Sequence, residues 1–70
     1  MHAMHTYHIT VQDSVNENDL NQMSPLKMTD VRVEKTTTQF TVYTDQSGLI
    51  GLLRHLHGRG FVLLSITYEQ

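Results

Sequence analysis

A leucine stripe in the last third of the chain restricts the fold more than any other feature of the sequence. The stripe consists of Leu49, Leu52, Leu53 and Leu56, and Ile50 widens it. Spacings of three and four residues place these side chains on one side of a helix. Asp45 precedes the stripe where an N-cap belongs, and Gly58 or Gly60 can adopt the left-handed conformation that ends a helix. The sequence therefore predicts a capped amphipathic helix within residues 45–60 that packs on a sheet.

The residues after this helix predict a strand over 61–68 that is apolar on both sides. Phe61, Val62, Leu63 and Leu64 follow one another without a polar residue between them. A strand that is covered on one face only is expected to alternate between apolar and polar residues. Something must therefore cover both sides of this strand.

Three earlier segments predict further strands, at residues 7–12, 27–35 and 39–44. Each alternates with the period of a strand, and the expected inward side chains are Tyr7, Ile9, Val11, Val31, Val33, Phe40 and Val42. Thr36, Thr37 and Thr38 are expected to form the reversal between the second and third strands. Residues 16–23 predict a short helix or an irregular loop, which Pro25 ends.

The order of these elements predicts an α+β fold of the ferredoxin-like βαββαβ type, with a short or irregular first helix and a four-stranded antiparallel sheet. The chain of 70 residues is expected to be a single domain, with residues 1–5 as a disordered tail. The helix glycines Gly48 and Gly51 each weaken the helix by roughly 1 kcal/mol relative to alanine, and they would be tolerated if the helix packs closely on the sheet.

A core of this size is marginal, and the chain has no cysteine for a disulfide. A homodimer that covers the open sheet face or pairs edge strands would supply the missing burial. The expected interface residues are Phe61, Leu63 and Ser65. The net charge of -2 without a basic stripe argues against a nucleic-acid partner. No apolar run is long enough to span a bilayer, so we expect a cytoplasmic protein without a membrane partner.

A distinctive pattern runs through residues 45–66. It reads Asp45-Gln46, Leu49, Gly51-Leu52-Leu53, Gly60 and Leu63-Leu64-Ser65-Ile66. This pattern resembles the C-terminal half of a family of small uncharacterised bacterial proteins, and residues 9–12 are similar to the opening strand of that family. The resemblance covers about half of the chain. It implies a shared scaffold and no particular activity.

The turn into the helix is also similar to a motif of the ACT regulatory domains, Asp-x-x-Gly followed by x and Leu or Ile. Here it reads Asp45-Gln46-Ser47-Gly48-Leu49-Ile50, although it follows the third strand rather than the first. The resemblance implies a small-molecule sensor for amino acids. Its ligand-binding residues would be Asp45, Gln46, Ser47, Gly48 and Leu49.

Histidines recur every three residues at His2, His5 and His8. Imidazole nitrogens bind copper and nickel, so these residues are candidate metal ligands. His55 and His57 lie two residues apart on the predicted helix and point away from each other, so we expect them to stabilise its C-terminal end.

Catalysis needs convergent groups, and no nucleophile and base stand at a suggestive spacing. We therefore expect no enzyme and no cofactor. The sequence predicts a non-catalytic homodimeric assembly module, with amino-acid sensing and weak metal binding as alternatives.

Overall fold

The computed structural model describes residues 3–22 and 26–69. In it, the alternating apolar and polar residues of the strands lie on opposite faces of one antiparallel sheet. The elements of this part are β1 (His5–Gln12), α1 (Glu17–Gln22), β2 (Thr29–Val33), β3 (Thr37–Thr44), α2 (Gln46–Gly58) and β4 (Leu63–Glu69). The strands lie side by side in the order β2-β3-β1-β4, and every neighbouring pair is antiparallel. The predicted α+β class and four-stranded antiparallel sheet are confirmed.

Both helices pack on the same face of the sheet, because their buried leucines join the buried residues of β1 and β3 in one cluster. This core consists of Tyr7, Ile9, Val11, Leu20, Met28, Phe40, Val42, Leu52 and Leu56. The inward positions that alternation predicted for β1 and β3 are confirmed. Ile9 pairs with Phe40 on one side and with Ile66 on the other, so it lies at the centre of the covered face.

The start of α2 follows the prediction closely. Asp45 Oδ1 accepts a hydrogen bond of 2.8 Å from the Gly48 amide, as an N-cap does. A Cβ atom at Gly48 would clash with Thr44 Oγ1, so the helix approaches the end of β3 too closely here for a side chain. The expectation that Ile50 widens the buried stripe was wrong. Ile50 is 44% exposed and a Cβ at Gly51 would contact nothing, because both lie away from the sheet.

The end of α2 explains why the last strand begins later than predicted. Gly60 has a φ of 87° and its amide donates to the His57 carbonyl, while the Phe61 amide donates to the Leu56 carbonyl. These two bonds form a Schellman motif, which satisfies carbonyls that the helix leaves free. The Phe61 amide is thus occupied by the helix end, and the ladder of β4 begins at Leu63.

The hairpin between β2 and β3 differs from the prediction in both strands. Thr37 and Thr38 belong to β3 rather than to the reversal, and Thr38 is fully buried. The Thr38 hydroxyl donates to the Asp13 carbonyl and accepts from the Val15 amide, so it replaces the missing backbone partners of the turn after β1. β2 is shorter than predicted, its pairing with β3 shifts between Thr29 and Arg32, and its Val33 is exposed.

The first connection contains the short helix that the sequence left open. α1 has a single fully buried side chain among its described residues, Leu20, and its Asn21 Oδ1 accepts a hydrogen bond from the Met28 amide. Pro25, which was expected to end it, lies outside the described residues. β1 begins at His5, which had been assigned to a disordered tail. Neither helix of the described part is both long and apolar enough to cross a membrane.

Candidate interaction site

The edge strand β4 combines unpaired backbone with exposed apolar side chains. Among the residues that the structure describes, β4 pairs with β1 alone, so its other side offers amide and carbonyl groups that have no strand partner there. Between Thr10 and Val11 the register shifts, and Leu63 and Leu64 together oppose the single residue Val11. This bulge is one extra residue in β4, and bulges of this kind are typical of sheet edges.

A groove opens where β4 leaves the end of α2. Its volume is about 540 Å³, and its walls come from the last turns of α2, the Schellman turn, β1 and the start of β4. The lining side chains that matter for binding are apolar: Val11, Leu53, Leu56, Phe61, Val62 and Leu63. Val62 is 51% exposed, Leu63 is 41% exposed and the neighbouring Leu64 is 51% exposed. We call the surface that these six residues line the β4 groove, and Leu64 lies beside it.

The three predicted interface residues do not lie on one face of the sheet, because the bulge changes the alternation. Leu63 pairs with the buried Val11 and lines the β4 groove, whereas Ser65 pairs with Thr10 on the opposite, open face. Phe61 is half-buried against the core at the helix end. Phe61 and Leu63 therefore share the groove, and Ser65 lies outside it.

The open face of the sheet is polar, so it is a poor candidate for hydrophobic burial. The register places these residues on it: Thr6, His8, Thr10, Arg32, Gln39, Thr41, Tyr43, Ser65, Thr67 and Glu69. Hydroxyl, amide and charged groups dominate this set, and Tyr43 is its one large exposed hydrophobic side chain. Of the two dimer geometries that the sequence left open, the edge is therefore favoured over the face.

A hydrogen-bonded chain crosses three strands of the open face. His8 Nε2 lies 2.9 Å from Glu69 Oε1, and His8 Nδ1 lies 3.1 Å from Thr41 Oγ1. Because a carboxylate only accepts, Nε2 donates in the first bond. The three residues are far apart in sequence, and only the strand order brings β1, β3 and β4 together. Sequence reasoning missed this cluster because its only signal was that each residue faces outward on a strand.

The predicted metal site on His2, His5 and His8 is not assembled by the two members that can be located. His5 and His8 are three residues apart on a strand, and such odd spacing directs them to opposite faces. The His5 ring contacts the rings of Tyr7 and Tyr68 on the helix side, at centroid distances of 6.2 and 5.5 Å. His2 lies outside the described residues. Within those residues, no group of three His, Cys, Asp or Glu side chains could hold a metal ion.

The predicted ligand-binding turn is occupied by its own capping bond. The Asp45 carboxylate is committed to the Gly48 amide, and Gly48 is packed against Thr44. Gln46 and Ser47 are exposed, whereas Leu49 is half-buried against the core. These positions form the N-terminal turn of α2, in which Asp45 caps the helix and Gly48 and Leu49 pack against the sheet and the core.

Comparison with family models, curated proteins and solved structures found no match to this chain.

Proposed function

We propose that the protein is a non-catalytic assembly module with ferredoxin-like topology, and that it pairs with a second copy through β4 and the β4 groove. The topology assignment is supported by the order of elements along the chain, which is strand, helix, strand, strand, helix, strand. A cytoplasmic location is part of the proposal and is supported by the absence of cysteine.

One observation carries the proposal: the free backbone edge and the exposed apolar side chains occur at the same place. Edge strands of monomeric proteins usually carry lysine, proline or inward-pointing charges that prevent pairing. β4 has the sequence LLSITYE, which contains no lysine or proline and a single charge at its end. An antiparallel strand can therefore pair with β4 without meeting a like charge at the centre of the contact.

A second copy fits this edge because an antiparallel contact between identical strands is self-complementary. Each copy would supply the same leucines and the same groove to the other. A standard interface buries about 800 Å² per partner. This is roughly a sixth of the 4855 Å² accessible surface of the described protein. The small core gains the burial that a chain of this size lacks.

Sedimentation equilibrium on the wild-type chain and two matched variants tests the proposal. Leu64→Lys places a charge at the exposed edge, and we expect it to weaken the dimer about tenfold or more, because burying an unpaired ammonium costs more than 1.4 kcal/mol. Ile50→Lys is the control, since Ile50 is 44% exposed on α2 and Leu64 is 51% exposed on β4. The control should associate like the wild type.

Two outcomes would contradict the proposal. A wild-type chain that stays monomeric at hundreds of micromolar would remove the dimer, and a Leu64→Lys variant that associates like Ile50→Lys would move the interface elsewhere. Hydrogen exchange of the backbone amides from 63 to 69 supplies an independent readout. Amides on the free side of β4 should become protected as the protein concentration rises.

An amino-acid sensor with its ligand at Asp45 to Leu49 is the other function that the sequence raised. The capping bond of 2.8 Å engages one oxygen of the Asp45 carboxylate, and Gly48 is packed against Thr44, so two of the five positions already have a structural role and the geometry favours the assembly module.

A further inference from the structure

The open face of the sheet contains a second concave surface, separate from the β4 groove. Its volume is about 560 Å³, within the range of small-molecule sites. The polar residues that line it are His8 and Thr10 on β1, Asp30 and Arg32 on β2, and Gln39 and Thr41 on β3. We call it the polar hollow.

The polar hollow contains two opposite charges that do not pair with each other. Asp30 and Arg32 both line it, yet the one ion pair found among the described residues is that of His8 with Glu69. Neither the Asp30 carboxylate nor the Arg32 guanidinium makes a side-chain hydrogen bond within the described part of the chain. The register places Arg32 beside Gln39, and Gln39 beside Thr10, so an amide neighbours Arg32 and a hydroxyl lies one strand further away.

The backbone of β2 is irregular at this position. Asp30 has a φ of 50°, and the pairing of β2 with β3 shifts between Thr29 and Arg32. Residues with positive φ in a strand interrupt the ladder and cluster at binding sites. Here the irregularity takes β2 out of regular pairing with β3 next to Asp30, one of the residues that line the hollow.

The opposite wall of the polar hollow is held in place. The His8 ring is hydrogen-bonded at both nitrogens, to Thr41 and to Glu69, so its orientation is set before any ligand arrives. A wall that does not reorganise reduces the entropy cost of binding. The hollow thus joins a hydrogen-bonded imidazole to a cation and an anion that have no partner among the described residues.

We propose that the polar hollow binds a small zwitterion, a molecule with one carboxylate and one ammonium group. The guanidinium of Arg32 matches a carboxylate with two parallel hydrogen bonds, and the carboxylate of Asp30 accepts from an ammonium. A ligand with a single charge would leave one of the two residues without a counterion.

Titration of the isotope-labelled full chain, followed by NMR, tests this proposal. The probes are glycine, β-alanine and 4-aminobutyrate, each beside its N-acetyl and its amide derivative. Asp30→Asn and Arg32→Gln should each raise the Kd about tenfold or more, the change expected when a charge-assisted hydrogen bond is lost. Asparagine tolerates positive φ as aspartate does, so Asp30→Asn keeps the backbone. The exposed Arg54→Gln and Glu34→Gln are matched controls and should leave the Kd unchanged.

The derivatives assign each charge to its partner. Acetylation of the amine should weaken binding to the wild type and leave binding to Asp30→Asn unchanged. Conversion of the carboxylate to an amide should weaken binding to the wild type and leave binding to Arg32→Gln unchanged. Absence of saturable shifts in residues of the hollow with every probe would overturn the proposal. Shifts confined to residues 45–49, or equal losses in the control variants, would overturn it as well.

Discussion

The central strand β1 and the edge strand β4 lie side by side, and the more apolar of the two is the less buried. β1 carries histidine and threonine at alternate positions, yet its Tyr7, Ile9 and Val11 are buried. β4 begins with two leucines and contains an isoleucine, and none of its residues is buried. The difference arises because β1 has a strand on each side and helices above it, whereas β4 has one neighbour and lies beside an open groove.

The apolar residues of a strand indicate that it is stabilised by burial. The position of the strand in the sheet decides whether other parts of the same chain provide that burial. In β4 the apolar side chains stay partly exposed. The proposed second copy would cover what β1 obtains from its own chain. Matched substitutions in differently buried parts of the molecule should therefore change its stability by different amounts.

The largest effect is expected from a matched pair of isoleucines. Ile9 and Ile66 are register partners, but Ile9 is 1% exposed and Ile66 is half-buried. Ile9→Ala should lower the free energy of unfolding by about 2–5 kcal/mol, because it leaves a cavity in the core. Ile66→Ala should cost clearly less. Urea denaturation at one low protein concentration measures both. Equal losses would show that β4 packs as firmly as β1.

The second effect concerns a buried hydroxyl on β3. Thr38→Val removes the group that bonds the Asp13 carbonyl and the Val15 amide, and an unsatisfied buried group costs about 1–3 kcal/mol. Thr67→Val is the matched change on exposed β4 and should stay within about 0.5 kcal/mol of the wild type. Thr38→Ser keeps the hydroxyl and should retain more stability than Thr38→Val. If valine equals serine at position 38, the hydroxyl has no structural role.

The third effect extends the comparison from the sheet to α2. Gly48→Ala places a methyl group against Thr44 Oγ1, and overpacking of this kind costs about 1–3 kcal/mol, partly offset by the helix propensity of alanine. Gly51→Ala meets open space and should stabilise the protein by about 1 kcal/mol. Thermal denaturation should shift in opposite directions for the two variants. A shift in the same direction would mean that α2 does not touch the sheet at Gly48.

The smallest effect is expected at the end of β4. Glu69→Gln removes the charge from the contact with His8, and exposed ion pairs contribute about 0–1 kcal/mol. The side chains of His8 and Glu69 are 44% and 69% exposed, so water screens the pair. Double-mutant analysis with His8→Gln measures the coupling. A coupling energy well above 1 kcal/mol would show that the pair holds β4 to β1.

Much of the fold could be predicted because the signals are local. The period of two in β1 and β3 identifies their buried sides, and the leucine spacing with Asp45 identifies α2 and its start. Gly60 was one of two candidates for the end of the helix, and the Schellman bonds select it. The errors follow from contacts between distant segments. Thr38 was assigned to a turn because its two hydrogen-bond partners follow β1 and are too far along the chain to be recognised from the sequence around Thr38. Ser65 was grouped with Leu63 because the sequence does not indicate the bulge between them.

The candidate sites depended still more on the tertiary structure. Phe61 and Leu63 were predicted as interface residues, but the groove that they line requires the end of α2 and the start of β4 in their final positions. The polar hollow is formed by residues of β1, β2 and β3, and no spacing of residues along the chain predicts it.

By itself the sequence determined the four strand segments, the helix α2 and the buried sides of β1 and β3, because these follow from side-chain periodicity and from capping groups within a few residues. Only the tertiary structure decided that β1 lies in the middle and β4 at the edge. That choice depends on how all four strands and both helices share one apolar face. It therefore also decided which apolar residues remain for a partner and which polar ones meet on the open face.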